Sequence, residues 1–182
     1  MTEAMSASSA PLDVLVDELR RAWAYTDSLW LDLDESQVRW RPTEHSSAIG
    51  WHLGHQAAVA HFMVRNLLAA EPSPAPELDS LMDSATPEPA RGGLPDRERL
   101  GRYRAAVADR VIVRIDAIRL GEVGAPAQLS VVAGGLVRAL VNHECQLDQW
   151  IAEGRSGDLG ATAPPVPTAP SRTTIDGYTG LR

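Results

Sequence analysis

Apolar residues recur at intervals of three and four in four separate windows of the chain, and in no window do they alternate with polar ones over a useful length. The first window carries Leu12, Leu15, Val16, Leu19, Ala22, Trp23 and Thr26, with Ser8 or Ser9 available as an N-cap and Pro11 suited to a first turn, which predicts a helix over about 10–31. A connection follows from Asp32 to Ser47, with a short helical turn expected at Asp34 to Val38, and Ser46 or Ser47 is placed to cap the next element. The second helix, about 48–70, sets Ile49, Leu53, Ala60, Val64 and Leu67 on one stripe and His52, His55, Val59 and Phe62 on an adjacent one. From Glu71 to Pro95 there are six prolines and two glycines, so no long helix is expected and the chain must cross the molecule as a loop. The third helix starts after Asp96, carries Leu100, Tyr103, Val107, Val111, Ile115 and Ile118, and ends at Gly121. The fourth, about 127–153, has the stripe Val132, Leu136, Leu140, His143, Leu147, Trp150 and Ile151, with Gly154 as its stop.

The chain has no internal repeat, and its length of 182 residues fits one domain. Four long amphipathic helices joined by one long crossing connection predict an all-α four-helix bundle over residues 10–155. Residues 1–9 are expected to be a flexible N-terminus, and the Pro- and Gly-rich stretch 156–182 an extended or disordered tail.

Charge narrows the function classes. With 24 acidic and 17 basic residues the formal charge is −7, leaving no cationic surface to displace counterions from a nucleic acid. The single cysteine, Cys145, excludes an internal disulfide framework and multi-cysteine metal sets, and fits a reducing compartment. Beside the fourth stripe it is expected to pack rather than attack. The first ten residues lack the basic and apolar regions of a signal peptide, and the apolar run Val131 to Val141 is about half the length of a membrane span. A cytoplasmic protein without nucleic-acid or membrane partners is the expectation.

In a helical bundle, polar groups projecting between facing helices are the usual material of a catalytic or metal site. His52 and His55 lie side by side on the second helix, about 60° apart around its axis. His143 stands within the fourth apolar stripe, where leucine is the ordinary occupant. Imidazole nitrogen ligates zinc, nickel, iron or copper, and it also exchanges protons near neutral pH, so the same pair serves metal binding or acid–base chemistry. Trp51 and Trp150 flank these histidines and could line a pocket, with Gln146 within reach of His143. Trp23, Trp30 and Trp40 read as core or rim residues, His45 and His61 as surface or edge, and the arginines of the third helix (Arg102, Arg104, Arg110, Arg114, Arg119) as a solvated face. One arginine near a pocket mouth could hold a substrate carboxylate.

The runs Arg39-Trp40-Arg41-Pro42, Ser47-Ala48-Ile49-Gly50-Trp51-His52-Leu53-Gly54-His55 and Asn142-His143-Glu144 resemble the DinB-like superfamily, over about residues 10–155. That superfamily includes mycothiol- and bacillithiol-dependent transferases and a mycothiol-dependent maleylpyruvate isomerase. The resemblance implies a small-molecule enzyme, a transferase or isomerase, whose pocket lies between the second and fourth helices. It also implies a divalent metal (zinc, nickel or iron), a low-molecular-weight thiol cofactor and a possible homodimer. Its metal-bearing members use one histidine that falls on His55 and a pair four residues apart, of which the first falls on His143 and the second on Leu147. Leu147 cannot ligate, which leaves the set incomplete. His52, Glu144 and Asp148 are the available replacements as ligands; Gln146 is a poor one. The alternative is a metal-free fold in which His55 and His143 bind a small molecule or act as an acid–base pair.

Overall fold

The structure, a computed structural model, describes residues 11–67, 71–168, 171–175 and 178–181. The expected flexible segment 1–9 and the caps Ser8 and Ser9 lie outside them.

Four long helices dominate: α1 (Leu12–Trp30), α3 (Ile49–Val64), α5 (Arg97–Arg119) and α6 (Pro126–Gly157). The all-α bundle is therefore the architecture. Between α1 and α3, the short α2 (Glu35–Val38) sits at the expected turn, held by a capping box in which Asp34 accepts from the Gln37 amide and Gln37 returns to the Asp34 amide. Helix α5 starts on Asp96, whose carboxylate accepts from the Arg99 amide at 2.6 Å. It ends in a Schellman arrangement: Gly121 at φ +76° lets the Glu122 amide reach the Ala117 carbonyl at 2.8 Å.

Several expectations are corrected. Ser46 and Ser47 do not cap α3. Its N-cap is Ala48, with no side-chain cap, and the entry is fixed by packing and by the Ile49 amide donating to the Trp40 carbonyl. The connection 71–95 is not structureless: it contains α4 (Pro76–Leu81) and a 3₁₀ turn (Glu88–Gly92), and it buries Leu78, Met82 and Leu94. Proline tolerates the first helical turn, so six prolines shorten helices here without abolishing them. Gly154 does not end α6, which runs three residues further. A Cβ at Gly154 would meet the Trp40 ring at 2.8 Å, so the glycine serves close approach instead of termination. Arg104 and Arg114 of α5 are buried, not solvated, and Arg114 pairs with Glu71 at 2.5 Å.

The buried face of α6 is also rotated from the expected stripe. Ala133, Val137, Leu140, Val141, Glu144, Leu147, Asp148 and Ile151 face inward, whereas Val132 and Trp150 are 52% and 42% exposed. Two carboxylic acids thus lie on the inner face. The core is correspondingly split into two apolar clusters, one containing Leu19, Ala22, Val107 and Leu140, the other Leu29, Leu53, Leu100 and Ile151. On each long helix one polar position stands between residues of the two clusters: Thr26 on α1, Gln56 on α3, Arg104 on α5, and the pair Glu144 and Asp148 on α6. A polar layer crosses the bundle at mid-height.

The tail returns to the bundle as a hairpin of β1 (Arg172–Ile175) and β2 (Tyr178–Leu181), antiparallel, with Thr173 opposite Gly180. Strands of four residues are too short to show an alternating pattern. The hairpin is anchored by polar contacts: Arg172 donates to Glu18 at 3.1 Å, Ser171 to Glu18 at 2.9 Å, and the Leu181 amide to Asn142 at 2.7 Å. No described helix is long and apolar enough to cross a membrane.

Candidate functional site

Helices α3 and α6 bring His55 and His143 together, with ring centroids 5.2 Å apart. Trp51, one turn before His55 on α3, stacks on the His55 ring at 4.6 Å and 12°. The Trp51 ring is fixed in turn: its indole donates to the Leu81 carbonyl at 3.1 Å, and the Arg91 guanidinium lies 4.3 Å from its centroid. His52 turns the other way, its ring meeting Trp150 at 5.4 Å. Gln146 is exposed and takes no part in this cluster.

The tautomer of His55 follows from its partner. Its Nδ1 lies 2.7 Å from the Met82 carbonyl, which can only accept, so Nδ1 carries the proton and Nε2 presents a lone pair. Gly54 lets the Met82 side chain lie directly against α3, since a Cβ there would meet the Met82 sulfur at 2.5 Å. Nδ1 of His52 and of His143 is buried without a hydrogen-bond partner. Burial lowers the pKa of both to about 4, with His55 adding a smaller effect, and burial also lowers His55. All three rings are neutral at neutral pH.

Two cavities adjoin the cluster. One of about 400 Å³ opens between α3 and the segment around α4, lined by His55, His61, Arg65, Asp79 and Asp83. The other, about 320 Å³, contains His52, Trp150 and Trp40. The space at His55 is therefore bounded by the connection, not by α6. His61, expected at the surface, is buried and lines this space, a position its place on α3 did not reveal.

A family model described as the DinB superfamily matches residues 18–151. The chain belongs to the DinB superfamily. Curated proteins give no match to it.

The three-histidine metal set that the DinB resemblance implies is not completed by this chain's side chains. Leu147, one turn after His143, is buried. Glu144 and Asp148 point away from the histidines into the polar layer, where both contact the Thr26 hydroxyl, at 3.0 and 2.8 Å. Among the described residues no three His, Cys, Asp or Glu side chains are grouped to hold a metal ion.

The polar layer itself is the feature that sequence reasoning missed. Asp148 also accepts from Gln56 at 3.0 Å, and Arg104 donates to the Leu53 carbonyl and to Gln56 at 2.6 and 3.0 Å. Burial raises the pKa of Glu144 and lifts Asp148 to about 8, with Glu144 adding to the rise at Asp148. Cys145 packs beside this layer, its thiol pushed up to about 11 by burial. The signal available in the sequence was the four-residue spacing of Glu144 and Asp148, one helical turn apart on a helix with a pronounced apolar stripe.

Proposed function

We propose that this DinB protein handles a small molecule at His55 and His143 through proton exchange, without a three-ligand metal centre. The observation that carries the reading is the His55 ring: its Nδ1 is committed to Met82, its face is covered by Trp51, and its Nε2 is left to accept a proton. His143, neutral on α6 with its ring 5.2 Å from that of His55, stands outside the cavity lining and is the neighbouring base of the pair. The cavity at His55 is large enough for a compact metabolite, and its mixed lining of Arg65, Asp79 and Asp83 selects a polar one. A histidine whose pKa burial lowers below its ordinary 6.5 favours the neutral base form at neutral pH, so the pair needs no activation before substrate enters.

Metal content per chain tests the reading, measured by elemental mass spectrometry on fresh wild-type protein, His55→Ala and His143→Ala. The expected result is sub-stoichiometric metal in all three, unchanged by incubation with zinc, nickel or iron. Near one equivalent in wild type, lost in both variants, would overturn it. Such a result would favour thiol-dependent transfer or isomerisation at a metal held by these histidines.

A further inference from the structure

Arg104 is 9% exposed and sits in the polar layer with an incomplete set of partners. Nη1 donates to Leu53 and Gln56. Nε has no hydrogen-bond partner, and Nη2 has Asp27 at 4.0 Å, beyond hydrogen-bond distance. A guanidinium offers five N–H donors, and leaving part of that fork unmatched in a protein interior is costly. The residue lines a cavity of about 320 Å³ between α1, α3 and α5, distinct from the one at His55. Trp23, Trp30 and Asp27, which accepts from the Trp30 indole at 3.3 Å, line it from α1, Glu144 lines it from α6, and alanines such as Ala108 line it from α5.

Hydrogen-bond stoichiometry sets the charge at the inner end. The Thr26 hydroxyl contacts three acceptors: the Ala22 carbonyl at 3.1 Å, Glu144 and Asp148. A hydroxyl has one proton to give and two lone pairs to receive, so at least one carboxyl must bring its own proton. The burial that raises both carboxyls acts in the same direction. The layer is therefore not a pair of anions: it can hold a single negative charge beside Arg104, and Nε of the guanidinium is left as a donor without an acceptor.

We infer that this cavity binds a small molecule with a flat apolar body and a carboxylate, the carboxylate pairing with Arg104 and the body lying against Trp23 and Trp30. A carboxylate is planar and bidentate, matching the guanidinium fork better than a single carbonyl oxygen does. The indoles supply broad apolar contact for a ring.

The test uses the full chain with three probes of one shape: benzoate, benzamide and benzylammonium. Indole N–H signals of Trp23 and Trp30 are followed by NMR, assigned by single Trp→Phe variants. Benzoate is expected to shift both signals saturably and to bind about tenfold or more tightly than benzamide, with benzylammonium inert. Ala108→Leu, which fills the cavity without touching the polar layer, and Arg104→Lys, which removes the fork, are each expected to weaken benzoate about tenfold. Both should retain cooperative unfolding; if Arg104→Lys does not fold, Ala108→Leu decides. His55→Ala is expected to leave benzoate binding unchanged, which separates this site from the histidine site. No saturable shift, equal binding of benzamide, preference for benzylammonium, or benzoate binding indifferent to Ala108→Leu would each overturn the inference.

Discussion

Asp148→Asn is expected to flatten the dependence of stability on pH above neutrality. Asp148 is buried and faces Thr26 of α1, Gln56 of α3, Arg104 of α5 and, on its own helix, Glu144 and Cys145. Burial raises its pKa from 3.8 in the unfolded chain to about 8. The native state therefore holds a proton that the unfolded state has released, and stability falls as pH rises between these two values. One such proton is worth about 1.4 kcal/mol per pH unit. The buried histidines titrate with the opposite sign, since their lowered pKa values make the native state the poorer proton binder, an effect that fades as pH passes their unfolded value of 6.5 and that both proteins share. The difference between the two proteins is therefore read across the window from pH 6.5 to 8, where the histidine contribution cancels. Across it wild type should lose about 1–2 kcal/mol more than Asp148→Asn, allowing for the shallower slope near the native pKa. The asparagine oxygen keeps the contacts from Thr26 and Gln56, so the substitution adds a constant offset that does not change with pH. Urea unfolding of both proteins at four pH values measures the difference. Parallel curves would refute the assignment of a protonated Asp148.

Three further outcomes are expected. Gly154→Ala places a methyl against the Trp40 ring, and should cost about 1–3 kcal/mol in urea unfolding, unlike an alanine at a true helix stop; no loss would refute close packing there. Arg172→Gln removes one of the partners of the buried Glu18, leaving Arg21 and Ser171, and should cost about 1–3 kcal/mol in urea unfolding; no loss would show that the Glu18–Arg172 pair does not anchor the hairpin. In an NMR titration the rings of His52 and His143 should stay neutral at pH 6 and gain protons only near pH 4; midpoints near 6.5 would contradict their desolvation.

Local pattern determined the bundle. The stripe of α5 from Leu100 to Ile118 is buried as its spacing requires, and the Asp34 and Asp96 caps and the Gly121 stop act within one turn of their own backbone, where neighbouring residues suffice. The pairing of His55 with His143 was legible for the same reason: each stands on a helix whose existence the sequence specifies, and the DinB resemblance told which helices face each other. Tertiary structure decided the rest. Helical periodicity is blind to which face is buried once acids sit on it, so the stripe of α6 was read through His143 and Trp150 when the inner face runs through Glu144 and Asp148. Whether an arginine is solvated depends on what other helices bring to it, and Leu53 and Gln56 of α3 reach Arg104 from about fifty positions away. The role of Gly154 rests on Trp40, and the tautomer of His55 on a carbonyl of the connection, neither of which lies on the same helix. Burial and partner choice are properties of the assembled core, and they are what convert this sequence's polar exceptions into a layer, a cavity and a candidate site.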